Sequence, residues 1–289
     1  MGTTLNSIYL KSDSEPLNLN EEIVKIPPGF ILSDENKNIA AHNGFSLRKG
    51  CILKKNEFEF KVDSDRDFEI FNEIFLRNSY SFFGTLKGEF IVFDVGFNIG
   101  AAAIYFSLYN NVSKVYGFEP FPETLELGRQ NLLLNPKIKE KVRIFEFGLS
   151  DKNKKKKILY DKERKPDIST FHENKKNFNK NVINPERLSK CKKISIKLKK
   201  ASNVIFNILK KQSHKKVLLK IDCEGAEYEI LPDLYQNKVL EKVDAVILEW
   251  HHNDGGQELK NILLKSGFKT IIHDDLNKMT GFIYAKKIL

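Results

Sequence analysis

The chain has 289 residues, 41% hydrophobic and 11% aromatic, which supports one large α/β domain with a substantial core and excludes a disordered protein. No apolar run reaches about 18 residues, so no transmembrane helix is expected, and Met1-Gly-Thr-Thr-Leu-Asn6 lacks the basic start and apolar core of a signal peptide. The net charge of +10 is local: 18 Lys and Arg stand against 6 Asp and Glu between Asp151 and Lys200, while the remainder carries 30 against 32. Such a run reads first as a solvated surface and second as an attraction for an anionic partner. With little arginine and no aromatic signature, nucleic acid is not an expected partner. Cys51, Cys191 and Cys223 are too widely spaced for a disulfide framework or a zinc site. They read as reduced thiols of a cytoplasmic protein.

In chain order, residues 1–65 carry turn signals at Pro27-Pro-Gly29, Asn43-Gly44 and Lys49-Gly50, with an alternating strand over 57–62. They predict a small irregular or β-rich extension. Residues 66–289 then form the main domain. Its first segment, Asp65 to Leu76, puts Phe68, Phe71, Ile74 and Phe75 on one helix face. From Glu89 onward strands and helices alternate. Strands are predicted at 90–95, 114–119, 142–147, 216–222, 243–249, 268–272 and 281–286. Helices are predicted at about 100–110, 122–135, 201–211, 225–235 and 256–265. This is the pattern of a parallel sheet covered on both faces, with the last two strands too close for a crossover and therefore an antiparallel hairpin. The basic segment 151–200 interrupts the rhythm as an insertion, with short strands at 157–160 and 194–198 around a long polar loop.

Three constellations carry chemistry. Asp94-Val-Gly-Phe-Asn-Ile-Gly100 follows the apolar strand Phe90-Ile-Val-Phe93 and leads into a helix, as a nucleotide-binding crossover does. A dinucleotide fingerprint would be G-x-G-x-x-G, and here an acid stands at the strand end, where a diphosphate would be repelled. A ligand with an amine-bearing, cationic end, such as S-adenosylmethionine, fits better. Gly96 and Gly100 permit close approach, Asn98 adds a polar group, and Glu119, 25 residues after Asp94, ends the next strand as a ribose-binding acid would. The second constellation is Leu218-Leu-Lys-Ile-Asp-Cys-Glu-Gly-Ala-Glu227. Asp222 and Glu224 fall at the sheet's ligand-binding edge, and Glu227 suits either that edge or a helix N-terminus. The third is Val246-Ile-Leu-Glu-Trp-His-His252, where Glu249, His251 and His252 are candidates for proton transfer or metal binding and Trp250 alternates into the core. His42, His172, His214 and His273 are not expected to be ligands.

Together these residues resemble the FkbM family of S-adenosylmethionine-dependent methyltransferases. The matching strings are Phe93-Asp-Val-Gly-Phe-Asn-Ile-Gly100, Gly117-Phe-Glu-Pro120, Gly148-Leu-Ser150, Lys220-Ile-Asp-Cys-Glu-Gly-Ala-Glu227, and Leu248-Glu249 with His251. The resemblance covers about residues 68–289 and implies a class I methyltransferase (Rossmann-like) fold: a seven-stranded, mostly parallel sheet with an antiparallel C-terminal hairpin strand. It also implies O-methylation of a hydroxyl, with sugars as frequent acceptors. Carried over, Asp94, Gly96, Asn98 and Gly100 bind the methionine end and Glu119 the ribose. Pro120, Phe121, Gly148, Leu149 and Ser150 lie near the adenosine, and Tyr80 closes the cofactor site. Asp222 serves both cofactor and catalysis. Ser169, Thr170 and His172 of the insertion, with Glu224 and His252, face the acceptor. Phe97 stands where the family usually has a small residue and is expected to narrow the cofactor turn.

The sulfonium is already activated, so the enzyme must align an in-line attack and manage one proton. Either His251, oriented by Glu249 or Asp222, is the base, or Asp222 and Glu249 hold a divalent cation that acidifies the hydroxyl. The acceptor expected from the family is a nucleotide-activated hexose or heptose for a capsule or other surface polysaccharide, its diphosphate meeting the lysines. Three readings compete: an RNA methyltransferase, an NAD-dependent sugar oxidoreductase (which Asp94 disfavours), and a non-catalytic anion-binding module. The oligomeric state is not written in the sequence, and a homodimer is compatible with it.

Overall fold

A computed structural model describes residues 31–49, 51–160, 192–212, 215–251, 256–274 and 280–288. Pro27-Pro-Gly29, Ser169, Thr170, His172, Cys191, His214 and His252 lie outside them. The extension opens with the helix Asp34–His42 and a three-stranded antiparallel meander, β1 (Ser46–Arg48), β2 (Ile52–Lys55) and β3 (Phe58–Lys61). The alternation in β3 buries Phe58 and Phe60. These rings, with Phe45, join Phe71 and Phe75 of the following helix, at centroid distances of 5.1 Å for Phe45–Phe71 and 5.0 Å for Phe71–Phe75. Asn131 and Asn135, on and just after the helix Pro122–Leu133, satisfy the free edge of β3. Lys61 N–H donates to Asn131 Oδ1 (2.6 Å), and Asn135 Nδ2 donates to the Glu59 carbonyl (2.6 Å). Residues 31–62 therefore share a core with the main sheet. The predicted amphipathic helix is the α-helix Asp65–Phe71 running into a π turn, Asn72–Leu76.

The next strands are β4 (Phe90–Val95), β5 (Val112–Phe118), β6 (Val142–Phe145), β7 (Gly148–Ser150), β8 (Lys154–Tyr160) and β9 (Lys192–Lys200). They are followed by β10 (Lys216–Ile221), β11 (Ala245–His251), β12 (Phe268–Asp274) and β13 (Thr280–Lys287). Seven of them form one sheet in the order β12-β13-β11-β10-β4-β5-β6, in which only β13 runs antiparallel to its neighbours, and does so to both. This is the expected class I methyltransferase sheet. Helices Ala101–Ser107 and Pro122–Leu133 pack on one face; Ala201–Leu209, Glu227–Gln236 and Gln257–Lys265 pack on the other. Strand β11 runs two residues beyond its predicted end, because β13 pairs with it out to His251–Thr280. No helix among the described residues is long and apolar enough to cross a membrane.

The basic insertion forms a ribbon in which β8 and β9 pair antiparallel, longer than predicted, with β9 also pairing β7 in parallel. Its inner face buries Ile158, Ile196 and Leu198 against Phe121. Its outer face presents Lys155, Lys157, Lys193, Lys197 and Lys199, with Lys155 directly opposite Lys197.

Two local arrangements position the turn between β4 and the helix Ala101–Ser107, where the cofactor is expected. Lys220 lies beside Asp94 in the β4–β10 register, and both are buried, at 2% and 0% exposure, with Nζ 3.0 Å from Asp94 Oδ1. The same ammonium donates to the Gly96 carbonyl at 2.8 Å. Burial pushes the Asp94 carboxyl up, opposed by Lys220. For Lys220, burial acts downward and is outweighed by Asp94 and Asp222. The second arrangement corrects the expectation for Phe97. Its ring does not narrow the turn; it is 1% exposed and turned into a slot lined by glycines. A Cβ on Gly117 would lie 2.4 Å from the Phe97 ring and one on Gly128 also 2.4 Å.

Lys220→Ala is expected to cost about 3–5 kcal/mol of stability by urea unfolding, because Asp94 is left as an uncompensated buried charge. Asp94→Leu combined with Lys220→Met should recover most of that loss. Gly117→Ala should cost about 1–3 kcal/mol through overpacking, and adding Phe97→Leu should relieve it.

Candidate active site

The turn between β4 and the helix Ala101–Ser107 is shaped by backbone contacts. Gly96 has φ +83°, and a Cβ there would lie 1.7 Å from the carbonyl oxygen of Asp222, so only glycine lets the β4 and β10 ends approach. Asn98 is left-handed (φ +52°) and donates its N–H to Glu119 Oε2 at 2.8 Å. Phe121 N–H donates to Glu119 Oε1 at 3.0 Å. The Glu119 carboxylate, at the tip of β5, is thus braced on both oxygens. Burial pushes its pKa up to about 7, against the pull of these two N–H donors.

The other expected cofactor residues are placed as follows. Asp94 is wholly buried beneath the turn, engaged with Lys220. Gly148 packs against Leu198 and Pro120, where a Cβ would lie 2.8 Å from Leu198 Cδ2. Leu149 is a core residue. Ser150 is buried, with its hydroxyl against Glu229 and Asp151. The Leu149 and Ser150 side chains are both buried. Tyr80 is 1% exposed and stacks on Phe106 at 5.5 Å. Its phenol is pushed well up, by burial first and then by Asp222, Glu73, Glu249 and Asp94, so it stands behind the acidic centre.

That centre forms at the carboxyl ends of β10 and β11. Glu249 and His251 are two residues apart on one strand and share a face; Trp250 turns to the other side and is buried, as expected. His251 is 5% exposed. Its Nε2 lies 3.9 Å from Asp222 Oδ1, 3.7 Å from Glu224 Oε2 and 3.7 Å from Glu249 Oε1. Its Nδ1 lies 3.1 Å from Glu227 Oε1. Burial alone would lower the imidazole pKa, but the hydrogen bond to Glu227 and the charges of Glu224, Glu227 and Glu249 push it up to about 10. Burial, then the Asp222 carboxylate, holds Glu249 well above the usual carboxylate range, against the opposing pull of His251. Asp222, Glu249 and His251 each offer one donor atom, all within 4.8 Å of one another.

The structure changes one expected role: the carboxylate bonded to the His251 ring is Glu227, not Glu249 or Asp222. Two further groups were not singled out from the sequence. Lys220 stands in an apolar strand, where a charge must be paired, and that was its available signal. Glu73, on the π turn, is pushed up by burial and by Asp222, and it acts in turn on Glu249, Tyr80 and Tyr284, so it faces the same centre. Its place depends on the π turn, which no sequence pattern announces. A groove of about 580 Å³ between the β8–β9 ribbon and the helix Ala201–Leu209 is lined by Lys155, Lys197, Lys199, Asn203 and Asn207, and by none of the centre's residues.

Comparison with known proteins identifies the family. The methyltransferase FkbM domain matches residues 94–270, more than half of the chain, beginning on Asp94. "Methyltransferase sdnD" of Sordaria araneosa is 26% identical over 212 residues, covering 69% of this chain and 81% of that protein. "Methyltransferase 1" of Beauveria bassiana (strain ARSEF 2860) is 26% identical over 210 residues, covering 70% and 81%. A crystal structure of methyltransferase FkbM from Methylobacillus flagellatus KT aligns with a TM-score of 0.47 at 14% identity, over 74% of this chain and 47% of that one. The matched segment contains the cofactor turn, Glu119, Asp222, Glu249 and His251, and the chain belongs to the FkbM methyltransferase family.

Proposed function

We propose that the protein transfers the methyl group of S-adenosylmethionine to a sugar hydroxyl, on a nucleotide-activated hexose or heptose destined for a capsule or other surface polysaccharide. The observation that carries this reading is the convergence at one sheet edge of a braced ribose acid, Glu119, with the Asp222–Glu249–His251 centre. Asp222 belongs to both halves: its backbone packs on the cofactor turn at Gly96, and its carboxylate faces His251. Carboxyl oxygens accept hydrogen bonds, so a centre built from Asp222, Glu224 and Glu249 suits a donor-rich polyol. It repels phosphate, which argues against an RNA backbone at the reacting position and directs a diphosphate toward the lysine ribbon.

In the reaction the acceptor oxygen attacks the methyl carbon in line with the leaving sulfur. The C–S bond breaks, S-adenosylhomocysteine leaves, and the hydroxyl proton passes to His251 Nε2, the ring atom facing Asp222, Glu224 and Glu249. With its pKa pushed up to about 10, the ligand-free ring holds a proton on Nε2 as well; the sulfonium, arriving beside the carboxylates, adds a positive charge that drives this proton off before the ring acts as base. A second reading rests on the close approach of the donor atoms of Asp222, Glu249 and His251. These residues would hold a divalent cation, which would acidify the hydroxyl.

Methyl transfer should be detected in a screen of nucleotide-activated hexoses and heptoses, with S-adenosylhomocysteine and not NAD raising the melting temperature. His251→Ala should lower kcat by about 10²–10⁴-fold. Turnover that persists after exhaustive chelation supports the base reading, and turnover restored only by a divalent cation supports the other.

Affinity for S-adenosylhomocysteine should also depend on pH through Glu119. Ribose hydroxyls donate to its ionised form, and the free carboxyl titrates at about 7. Binding should therefore weaken as pH falls through neutrality, approaching about tenfold per unit below it. Calorimetry from pH 8 to pH 5.5 checks this, and Glu119→Gln should flatten the dependence.

A further inference from the structure

Glu227 is the most deeply buried carboxylate of the centre, at 0% exposure. It is the first residue of the helix Glu227–Gln236, where a surface carboxylate would suffice to favour the helix dipole. Instead its side chain turns inward. Oε1 accepts two hydrogen bonds from one residue: His251 N–H at 2.8 Å and Nδ1 at 3.1 Å. Oε2 accepts Gly225 N–H at 2.8 Å and lies 3.6 Å from Cys223 Sγ. Both oxygens are thus committed to the protein.

A carboxylate can only accept, so Nδ1 must carry a proton, and Nε2 is the ring atom left for chemistry. Holding the backbone N–H and the ring of His251 through one oxygen also fixes the ring's orientation. Nε2 is thereby aimed at the space among Asp222, Glu224 and Glu249, which approach it from the β10 end and from β11. An orienting carboxylate behind a base is a recurring device in proton transfer. The turn Cys223-Glu-Gly225, half-buried at its first two residues, completes the support. Glu224 is left-handed there (φ +53°), and Gly225 (φ +100°) delivers its N–H to Glu227.

The geometry points to Glu227 as the positioning residue of the reaction: it sets the His251 tautomer and holds Nε2 toward the acceptor hydroxyl, without itself touching substrate or cofactor. This rests on the reading that His251 takes the hydroxyl proton.

The test compares Glu227→Ala, Glu227→Gln, His251→Ala and the Glu227→Ala/His251→Ala pair in the full chain. Turnover is measured with whichever nucleotide-activated sugar supports it. Glu227→Ala should lower kcat about 10²-fold or more while S-adenosylhomocysteine affinity changes less than about threefold, since the residue acts only through the base. Glu227→Gln keeps an oxygen for His251 and should retain more activity than Glu227→Ala, so it carries the test if the alanine variant fails to fold. The double variant should be no slower than His251→Ala alone. Multiplicative losses in the double variant, or full kcat in Glu227→Ala, overturn the inference. An unimpaired His251→Ala overturns the reading beneath it as well. Independently of any acceptor, a structure of either Glu227 variant with S-adenosylhomocysteine reads the ring directly. The inference expects it to have turned in Glu227→Ala and to be held in Glu227→Gln. A ring that keeps its place without a side-chain acceptor at position 227 overturns it.

Discussion

Lys220 places one ammonium group between two parallel strands, and the rest of the site is arranged around that charge. A lysine at 2% exposure needs anionic company, and it finds Asp94 on β4, with Asp222 3.7 Å away on the other side. Its hydrogen bond to the Gly96 carbonyl fixes the start of the cofactor turn. The same turn is pressed against the backbone of Asp222. A single buried cation therefore registers the turn after β4, which the proposed function assigns to the cofactor, against the end of β10, which it assigns to catalysis. Asp94 serves as the counter-ion that makes this arrangement tolerable, which explains its burial beneath the turn.

The packing beneath the turn follows from volume. Phe97 is large where the turn needs little space, and Gly117 and Gly128 supply the missing volume from a strand and a helix that arrive later in the chain. The extension contributes in the same way. Its meander is tied by Asn131 and Asn135 to the helix that follows β5, and the adjoining π turn brings Glu73 toward the acidic centre. The centre is consequently walled from three directions: the ends of β10 and β11, the first turn of the helix Glu227–Gln236, and the helix that follows the meander.

Much of the sheet was legible in the sequence because parallel strands buried on both faces are continuous apolar runs. Each of β4, β5 and β10 is also followed or ended by an acid at the ligand-binding edge. The role of Lys220 was not legible, because its partner is set by the register between β4 and β10, which are separated by the whole insertion. Phe97 read as an obstruction for the same reason: its slot is made of glycines distant in sequence. The first-turn position of Glu227 does predict a favourable helix dipole, but the inward direction of its side chain depends on where β11 ends. That end is set by pairing with β13 as far as Thr280. The ribbon strands were underestimated because lysines occupy inner as well as outer positions, as Lys154 and Lys156 do, and blur the alternation.

The charge arithmetic of the proposed reaction explains why so many carboxylates surround one histidine. S-adenosylmethionine brings a positive sulfur, and methyl transfer leaves a neutral thioether. The positive charge reappears as the proton taken from the acceptor hydroxyl. A site that stabilised only the sulfonium would lose that stabilisation as the reaction proceeds. Here carboxylates that would attract an incoming cation, Glu224, Glu227 and Glu249, also raise the affinity of His251 for a proton. In the proposed reaction the charge moves from sulfur to imidazole while remaining within reach of the same field, so little reorganisation is required. The neutral thioether no longer enjoys that attraction, which favours product release once the proton has settled on the ring.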